Sequence, residues 1–298
     1  MELAGRPPRD YRIPARSFDY VTVGHVTVDV IAAEHSRRPG GGAFYSALQA
    51  ARLGLRALIV TQGSAPEIEA LLEPYRSELE LRILPAPATT TLETSWSGAQ
   101  RTQRVLAWAG PIVEEVSVDT QILHFAPVAR ESTARWRGQA DFVGLTPQGL
   151  ARAWDQDGDG EIMPAPLPGD RQSLEELLPD GCSAVVLSEQ EPATCAPLLL
   201  AAAAAGAALA ITAGAGATSV YLPDGPVTQV KAPTVEHPRD DLGAGDVFAA
   251  TFFIFLHEGH SPTRAAAYAN AAAAIRIEGA GAGAIGDRDA IQARVARR

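Results

Sequence analysis

The chain is short of lysine: Lys231 is the single one among 25 lysines and arginines in 298 residues. That scarcity removes two large classes of phosphotransferase. Without Gly-Lys-Ser/Thr there is no P-loop for a nucleoside triphosphate. The strand lysine and catalytic-loop sequence of a protein kinase are missing too. Cysteine is nearly absent, with only Cys182 and Cys195 and no metal-type pairing between them, which fits buried thiols in a reducing compartment. No apolar run reaches the roughly 20 residues of a membrane span. The longest, Pro197 to Ile211, is rich in alanine and with Gly206 suits a helix laid closely on a sheet. Positive charge is outweighed, and a net charge of −10 offers no basic surface to nucleic acid. Residues 1–16 are rich in Arg and Pro and lack the apolar stretch of a secretory signal. They are expected to be a loose tail ahead of a single domain over 17–298.

What is present is an alternation of short apolar strands with helix-compatible segments. Asp19 to Gly24, Arg56 to Thr61, Ile122 to Ala126, Phe142 to Thr146, Ala184 to Ser188 and Ala208 to Thr212 read as buried strands. Gly40 to Gly54, Glu67 to Tyr75, Gly243 to His257, Pro262 to Glu278 and Asp287 to Arg297 read as helices. That order predicts an α/β domain with a mainly parallel sheet covered on both faces. Leu81 to Leu84, Thr91 to Trp96 and Gln103 to Ala109 look like a hairpin projecting from the sheet. Thr218 to Leu222 and Val227 to Val230 suggest a second hairpin around Asp224-Gly225.

The most informative stretch is Asp240-Asp241-Leu242-Gly243-Ala244-Gly245-Asp246-Val247-Phe248. Gly-Ala-Gly at a helix start leaves backbone N–H groups unpaired. Small side chains let an anion reach them, and the helix dipole adds to the attraction. A carboxylate beside such a nest suits phosphoryl transfer. Asp246 would accept the proton of a hydroxyl while Gly243, Ala244 and Gly245 hold the charge that develops on the phosphoryl group.

At these residues the chain resembles the ribokinase-like (PfkB) family of small-molecule kinases. The family's second signature reads Asp-Thr-Thr/Leu-Gly-Ala-Gly-Asp-x-Phe, from which this chain departs at Asp241. Gly41, Gly42, Ala43, Ala47, Leu53 and Gly54 fit the first signature, with Tyr45 where Asn is usual. The resemblance implies a three-layer sandwich, Asp246 as catalytic base, and Gly243 to Gly245 as the anion hole. It implies an acceptor site at Asp29, Gly41, Gly42 and Tyr45, and a nucleotide site at Thr212, Gly214, Gly216 and Asn270. Glu191, in Ser188-Glu189-Gln190-Glu191, would act on Mg²⁺ through water. The cofactors implied are ATP and Mg²⁺, and the partner a small polyol, sugar or nucleoside. The protein would be cytoplasmic, a monomer or homodimer, with no nucleic-acid or membrane partner.

Only Val30 to Pro39 separate Asp29 from Gly40, too few for the first lid strand pair usual in the family. A reduced lid at about 88–109 is therefore expected, and no lid-to-lid dimer barrel. With Thr146-Pro147-Gln148-Gly149-Leu150-Ala151-Arg152 after a strand, the pattern looks most like the inositol-kinase-like branch. Arg152 could reach phosphate or lie on the surface. Asp155 to Ile162 resembles the start of a calcium loop but lacks its closing Glu, which is Pro166. A metabolite- or nucleotide-sensing protein that keeps the fold without catalysis is the alternative, favoured by Tyr45, Ser188 and the short lid.

Overall fold

The computed structural model describes residues 17–34, 36–97, 100–113, 115–132, 135–155, 160–222 and 225–297. The expected tail over 1–16, the middle of the Asp155 to Ile162 turn and Asp224 lie outside them. The elements run β1 (Phe18–Val23), β2 (Thr27–Ile31), β3 (Ser36–Gly40), α1 (Gly42–Arg52), β4 (Ala57–Gly63), α2 (Ala65–Leu72) and β5 (Leu79–Pro85). They continue with β6 (Thr91–Ser97), β7 (Gln100–Ala107), β8 (Val116–Phe125), β9 (Trp136–Leu145), β10 (Arg152–Ala153), β11 (Met163–Pro164), α3 (Arg171–Leu177) and β12 (Cys182–Ser188). The last are α4 (Pro192–Ala204), β13 (Ala208–Thr212), β14 (Ala217–Tyr221), β15 (Thr228–Lys231), α5 (Ala244–His257), α6 (Pro262–Glu278) and α7 (Arg288–Ala296).

The central sheet has the order β15-β14-β13-β12-β9-β8-β1-β4-β5. It is parallel from β13 to β5, and β14 and β15 add antiparallel at one edge. Side chains alternate between its faces. Tyr20, Ile59, Ile122 and Ala184 bury under α1, α5 and α6. Val21, Leu58, Leu123 and Val185 bury on the other side with Leu198 and Ala202 of α4. This is the expected three-layer arrangement. Among the described residues no helix is long and apolar enough to cross a membrane.

The lid departs from expectation. A second sheet has the order β3-β2-β6-β7. β2 and β3 pair antiparallel, Thr27 with Gly40 through Ile31 with Ser36. The first lid strand pair is thus present, built from two strands of five residues each and the turn between them. β2, Thr-Val-Asp-Val-Ile, is rich in β-branched residues, whereas Ser36-Arg37-Arg38-Pro39-Gly40 is not and becomes a strand because β2 supplies its partner. β5 is the second correction. It does not join the projecting hairpin but pairs parallel with β4 at the edge of the main sheet. Asp29 is the middle residue of lid strand β2.

Candidate active site

The cleft lies where the lid, α1 and α5 converge. Gly243 ends the loop before α5 with φ 76°, and Asp246 is in the first helical turn. The Ala244 N–H bonds to the Asp241 carbonyl at 3.1 Å. Among the described residues the N–H groups of Gly243 and Gly245 meet no acceptor, as expected at a helix N-terminus. A Cβ at Gly245 would enter open space, so the nest is accessible. Asp246 itself is reached by solvent yet enclosed by protein. A Cβ at Gly42 would come within 2.9 Å of Asp246 Oδ1, so the α1 N-terminus abuts the carboxylate. Burial raises the Asp246 carboxyl to about 7. The Arg152 charge opposes this rise, and Asp29 and Glu191 add to it.

Asp29 faces the same space from the lid. It is buried, and its Oδ1 accepts from the Thr27 hydroxyl at 2.7 Å. Burial lifts its pKa to about 6, against the pull of Thr27 and the Arg38, Arg152 and Arg101 charges. Two carboxylates of raised pKa therefore share one cleft, a pattern typical of functional sites. Gly41 and Gly42 open α1 beneath them, and a Cβ on Gly41 would collide with the His25 carbonyl at 2.2 Å.

Tyr45 is placed differently from an exposed acceptor contact. Its ring is buried against Gly243 and against Phe44, 5.2 Å between centroids. The Arg276 guanidinium stands 5.5 Å from the ring centre. Burial pushes its phenol up to about 12. Tyr45 thus shapes the floor beneath the nest.

Glu191 precedes α4. Its carboxylate accepts from the Ser188 N–H and from Gln148 Nε2, both at 2.6 Å. It is part-exposed, and its charge is felt at both Asp246 and Arg152. Among the described residues no cluster of three or more metal-ligating side chains exists. A hydrated Mg²⁺ needs only one or two carboxylates plus phosphate oxygens, so Glu191 on the Asp246 side of the cleft fits that role. Of the residues expected to line a nucleotide, Thr212 ends β13, Gly214 takes φ 54°, and Gly216 closes a turn on the Ala213 carbonyl at 2.7 Å. Asn270 accepts from the Thr218 hydroxyl at 2.9 Å and donates to the Val230 carbonyl at 3.1 Å and the Lys231 carbonyl at 3.4 Å. Its amide therefore ties α6 to the edge strands.

These observations decide what the chain can be compared with. Residues 150–288 match the model of the pfkB family carbohydrate kinases. The fold is ribokinase-like. A pyrophosphate-dependent kinase in the ribokinase family, solved as a sulfate complex, superposes with TM-score 0.68 at 17% identity, over 88% of this chain and 96% of that one. A Burkholderia thailandensis nucleoside kinase in complex with inosine gives 0.69 at 20% identity, over 93% and 97%. Arabidopsis thaliana ribokinase complexed with ribose and ATP gives 0.66 at 14%, over 93% and 98%. No curated protein matches the chain. The pfkB segment contains Glu191, Thr212, Asp246 and Asn270, whereas Asp29 and the first glycine signature lie outside it. The inositol-kinase-like resemblance is consistent with a further neighbour, a pyrophosphate-dependent myo-inositol-1 kinase.

Several groups around the site were given no role by the sequence. Glu131 is fully buried and accepts from the N–H groups of His25 (2.8 Å), Val128 (2.8 Å) and Ala129 (2.6 Å), fixing the β1–β2 junction to the loop after β8. Asp240, the first residue of the second signature, accepts from Arg276 at 2.9 Å, Arg38 at 2.8 Å and the Gly281 N–H at 3.0 Å. It thereby joins lid strand β3, helix α6 and the nest loop. Arg276 has no solvent exposure at all, and of the residues on α6 the sequence singled out only Asn270.

Proposed function

We propose that this protein is a kinase that transfers a phosphoryl group to a hydroxyl of a small polyol, sugar or nucleoside. The observation that carries the proposal is the opposition of two enclosed carboxylates, Asp246 at the open start of α5 and Asp29 on the lid, across the exposed Gly243–Gly245 nest.

Asp29, preoriented by Thr27, accepts hydrogen bonds from acceptor hydroxyls and fixes which one faces Asp246. Asp246, raised to about 7, is close to the pH at which a general base combines availability with proton affinity. The nest N–H groups stabilise the phosphoryl oxygens in the transition state. Mg²⁺, held by Glu191 through water, would neutralise phosphate charge. The Thr212–Gly216 turn would line the donor, for which ATP is the first candidate. Closure of the four-stranded lid keeps water from competing with the acceptor.

The test is donor consumption, with ATP and with pyrophosphate, across polyols, sugars and nucleosides, using Asp246→Asn as control. Acceptor-dependent turnover that the variant lacks supports the proposal. Saturable binding without turnover would establish the non-catalytic sensing role instead.

A further inference from the structure

The turn that presents the nest is held from behind by one side chain. Arg276 of α6 has no solvent exposure. Its Nη1 donates to the Asp240 carbonyl at 3.1 Å and to the Gly279 carbonyl at 3.3 Å, and its Nη2 donates to Asp240 Oδ2 at 2.9 Å. The same guanidinium stands over the Tyr45 ring, the ring against which Gly243 packs. It therefore touches both the first residue of the turn and the floor beneath its glycine.

Asp240 passes this hold on to the nest. Its Oδ1 accepts from the Leu242 N–H at 3.1 Å, and the Ala244 N–H is taken by the Asp241 carbonyl. With those two amides engaged, the turn is fixed and the N–H groups of Gly243 and Gly245 are left for a ligand. Burial would raise the Asp240 carboxyl, yet its bonds from Arg276, Gly281 and Leu242 hold it below the ordinary aspartate value, so the carboxylate stays charged. A second guanidinium, Arg38, reaches the same Oδ2 from the lid position opposite Asp29.

Packing alone does not call for an arginine at this position. Most of the buried residues of α6 are alanines. Taking a guanidinium out of water is costly, and an apolar side chain of similar length can replace a buried ion pair with little change in stability. An apolar side chain cannot fix two carbonyls and a carboxylate at once, as a planar fork of donors does.

We propose that Arg276 is a positioning residue for phosphoryl transfer, holding the 240–243 turn so that the Gly243 and Gly245 N–H groups stay aimed at the phosphoryl oxygens. This rests on the kinase reading above. Arg276 touches neither donor nor acceptor. It acts through Asp240 and Tyr45, and its contribution is to spare the nest any rearrangement as charge develops on the transferring group.

The test uses the full chain with Arg276→Met, Arg276→Lys, Asp240→Asn and Arg38→Gln. The readouts are hydrogen exchange of the Leu242 and Ala244 amides, calorimetry with pyrophosphate, and kcat with an acceptor identified by donor consumption. Arg276→Met nearly keeps the side-chain length, so the fold should survive. Its Leu242 and Ala244 amides should exchange at least about tenfold faster, with those of β12 and α1 unchanged. Its pyrophosphate affinity should fall by about tenfold. Its kcat should fall by roughly 10²-fold, as for a misplaced site, with the acceptor KM within about twofold of wild type. Arg276→Lys should recover part of the loss, since charge returns without the fork. Asp240→Asn should move exchange and affinity in the same direction, and it stands as the test if Arg276→Met does not fold. Arg38→Gln should leave the Leu242 and Ala244 exchange at its wild-type rate, because the Arg276 fork remains.

Folded Arg276→Met or Asp240→Asn protein with wild-type exchange and wild-type pyrophosphate affinity would overturn the proposal. Faster exchange spread evenly over α6 and β15 would overturn it too, by making Arg276 a general support of the fold. Equal loosening in Arg38→Gln would move the role from the Arg276 fork to the charge balance at Asp240. Wild-type protein that binds neither pyrophosphate nor ATP would refute the kinase reading and this role together, whereas wild-type binding that the variants retain refutes this role alone.

Discussion

A Cβ placed on Gly243 would stand 2.3 Å from Cγ of Tyr45. The backbone of the nest therefore rests directly on an aromatic ring, whose flank is the Arg276 guanidinium that also binds Asp240. Gly243 meets two demands at once, a φ of 76° and contact with a ring that leaves no room for a side chain.

Gly243→Ala should therefore cost both stability and activity, because the methyl must displace either Tyr45 or the nest. Tyr45→Phe should change stability by no more than about 1 kcal/mol, since the ring supplies the contact. Tyr45→Asn, which introduces the residue usual in the ribokinase-like signature, should cost on the order of 3–5 kcal/mol through lost packing. Urea denaturation of the three variants checks the ranking, and a well-folded Tyr45→Asn protein would show that the ring does not support the nest.

Asp246→Asn should lower turnover by roughly 10²–10⁴-fold and at the same time alter the pH dependence of stability. In the folded protein Asp246 keeps its proton up to about 7, whereas the unfolded chain releases it near 4. Between those values the folded state binds more protons, so this residue's contribution to stability is present at low pH and is lost as pH rises toward 7. The Asn variant should thus melt above wild type at pH 8, with the gap closing at pH 5. An equal gap at both pH values would mean that Asp246 ionises as freely in the fold as in the unfolded chain.

The pH–rate profile should show the same group. The acid limb of kcat/KM should bend near 7, where Asp246 loses its proton. It should steepen below about 6, where Asp29 becomes protonated. In Asp29→Asn the steeper portion should vanish while the bend near 7 remains. A single bend near 4 in wild type would exclude both carboxylates from the reacting protonation state.

Gly245→Val tests the nest without strain at its own backbone. Gly245 lies within α5, outside the positive-φ glycines, and its Cβ would meet nothing within 4 Å. Folding should survive, while the branched side chain occupies the approach of a phosphoryl oxygen. Loss of turnover with an unchanged melting temperature is expected, and full activity would place the phosphoryl group elsewhere.

Sequence patterns with a local cause were legible. The parallel core strands could be read from their apolar runs, α1 and α5 from glycines followed by close-packed small residues, and Asp246 from its fixed place in the first turn after Gly-Ala-Gly. Such features depend on neighbours along the chain. The lid was not legible in the same way. Ser36 to Gly40 has no strand propensity of its own, and pairing with β2 makes it one. Leu79 to Pro85 has strand character in either sheet, and the crossover through α2 brings it against β4.

The sequence by itself thus determined the layer architecture and the glycine-led start of α5 with Asp246 in its first turn, because periodicity and helix-start chemistry are set within a few residues. Tertiary structure alone decided which charges meet. It brought Asp29 from the lid to face Asp246, enclosed Arg152 with no carboxylate in contact, and tied Asp240 to Arg38 and Arg276 across more than 200 and 36 residues of chain respectively. Burial and long-range proximity fix the electrostatics of a cleft, and neither is a property of any single stretch of chain.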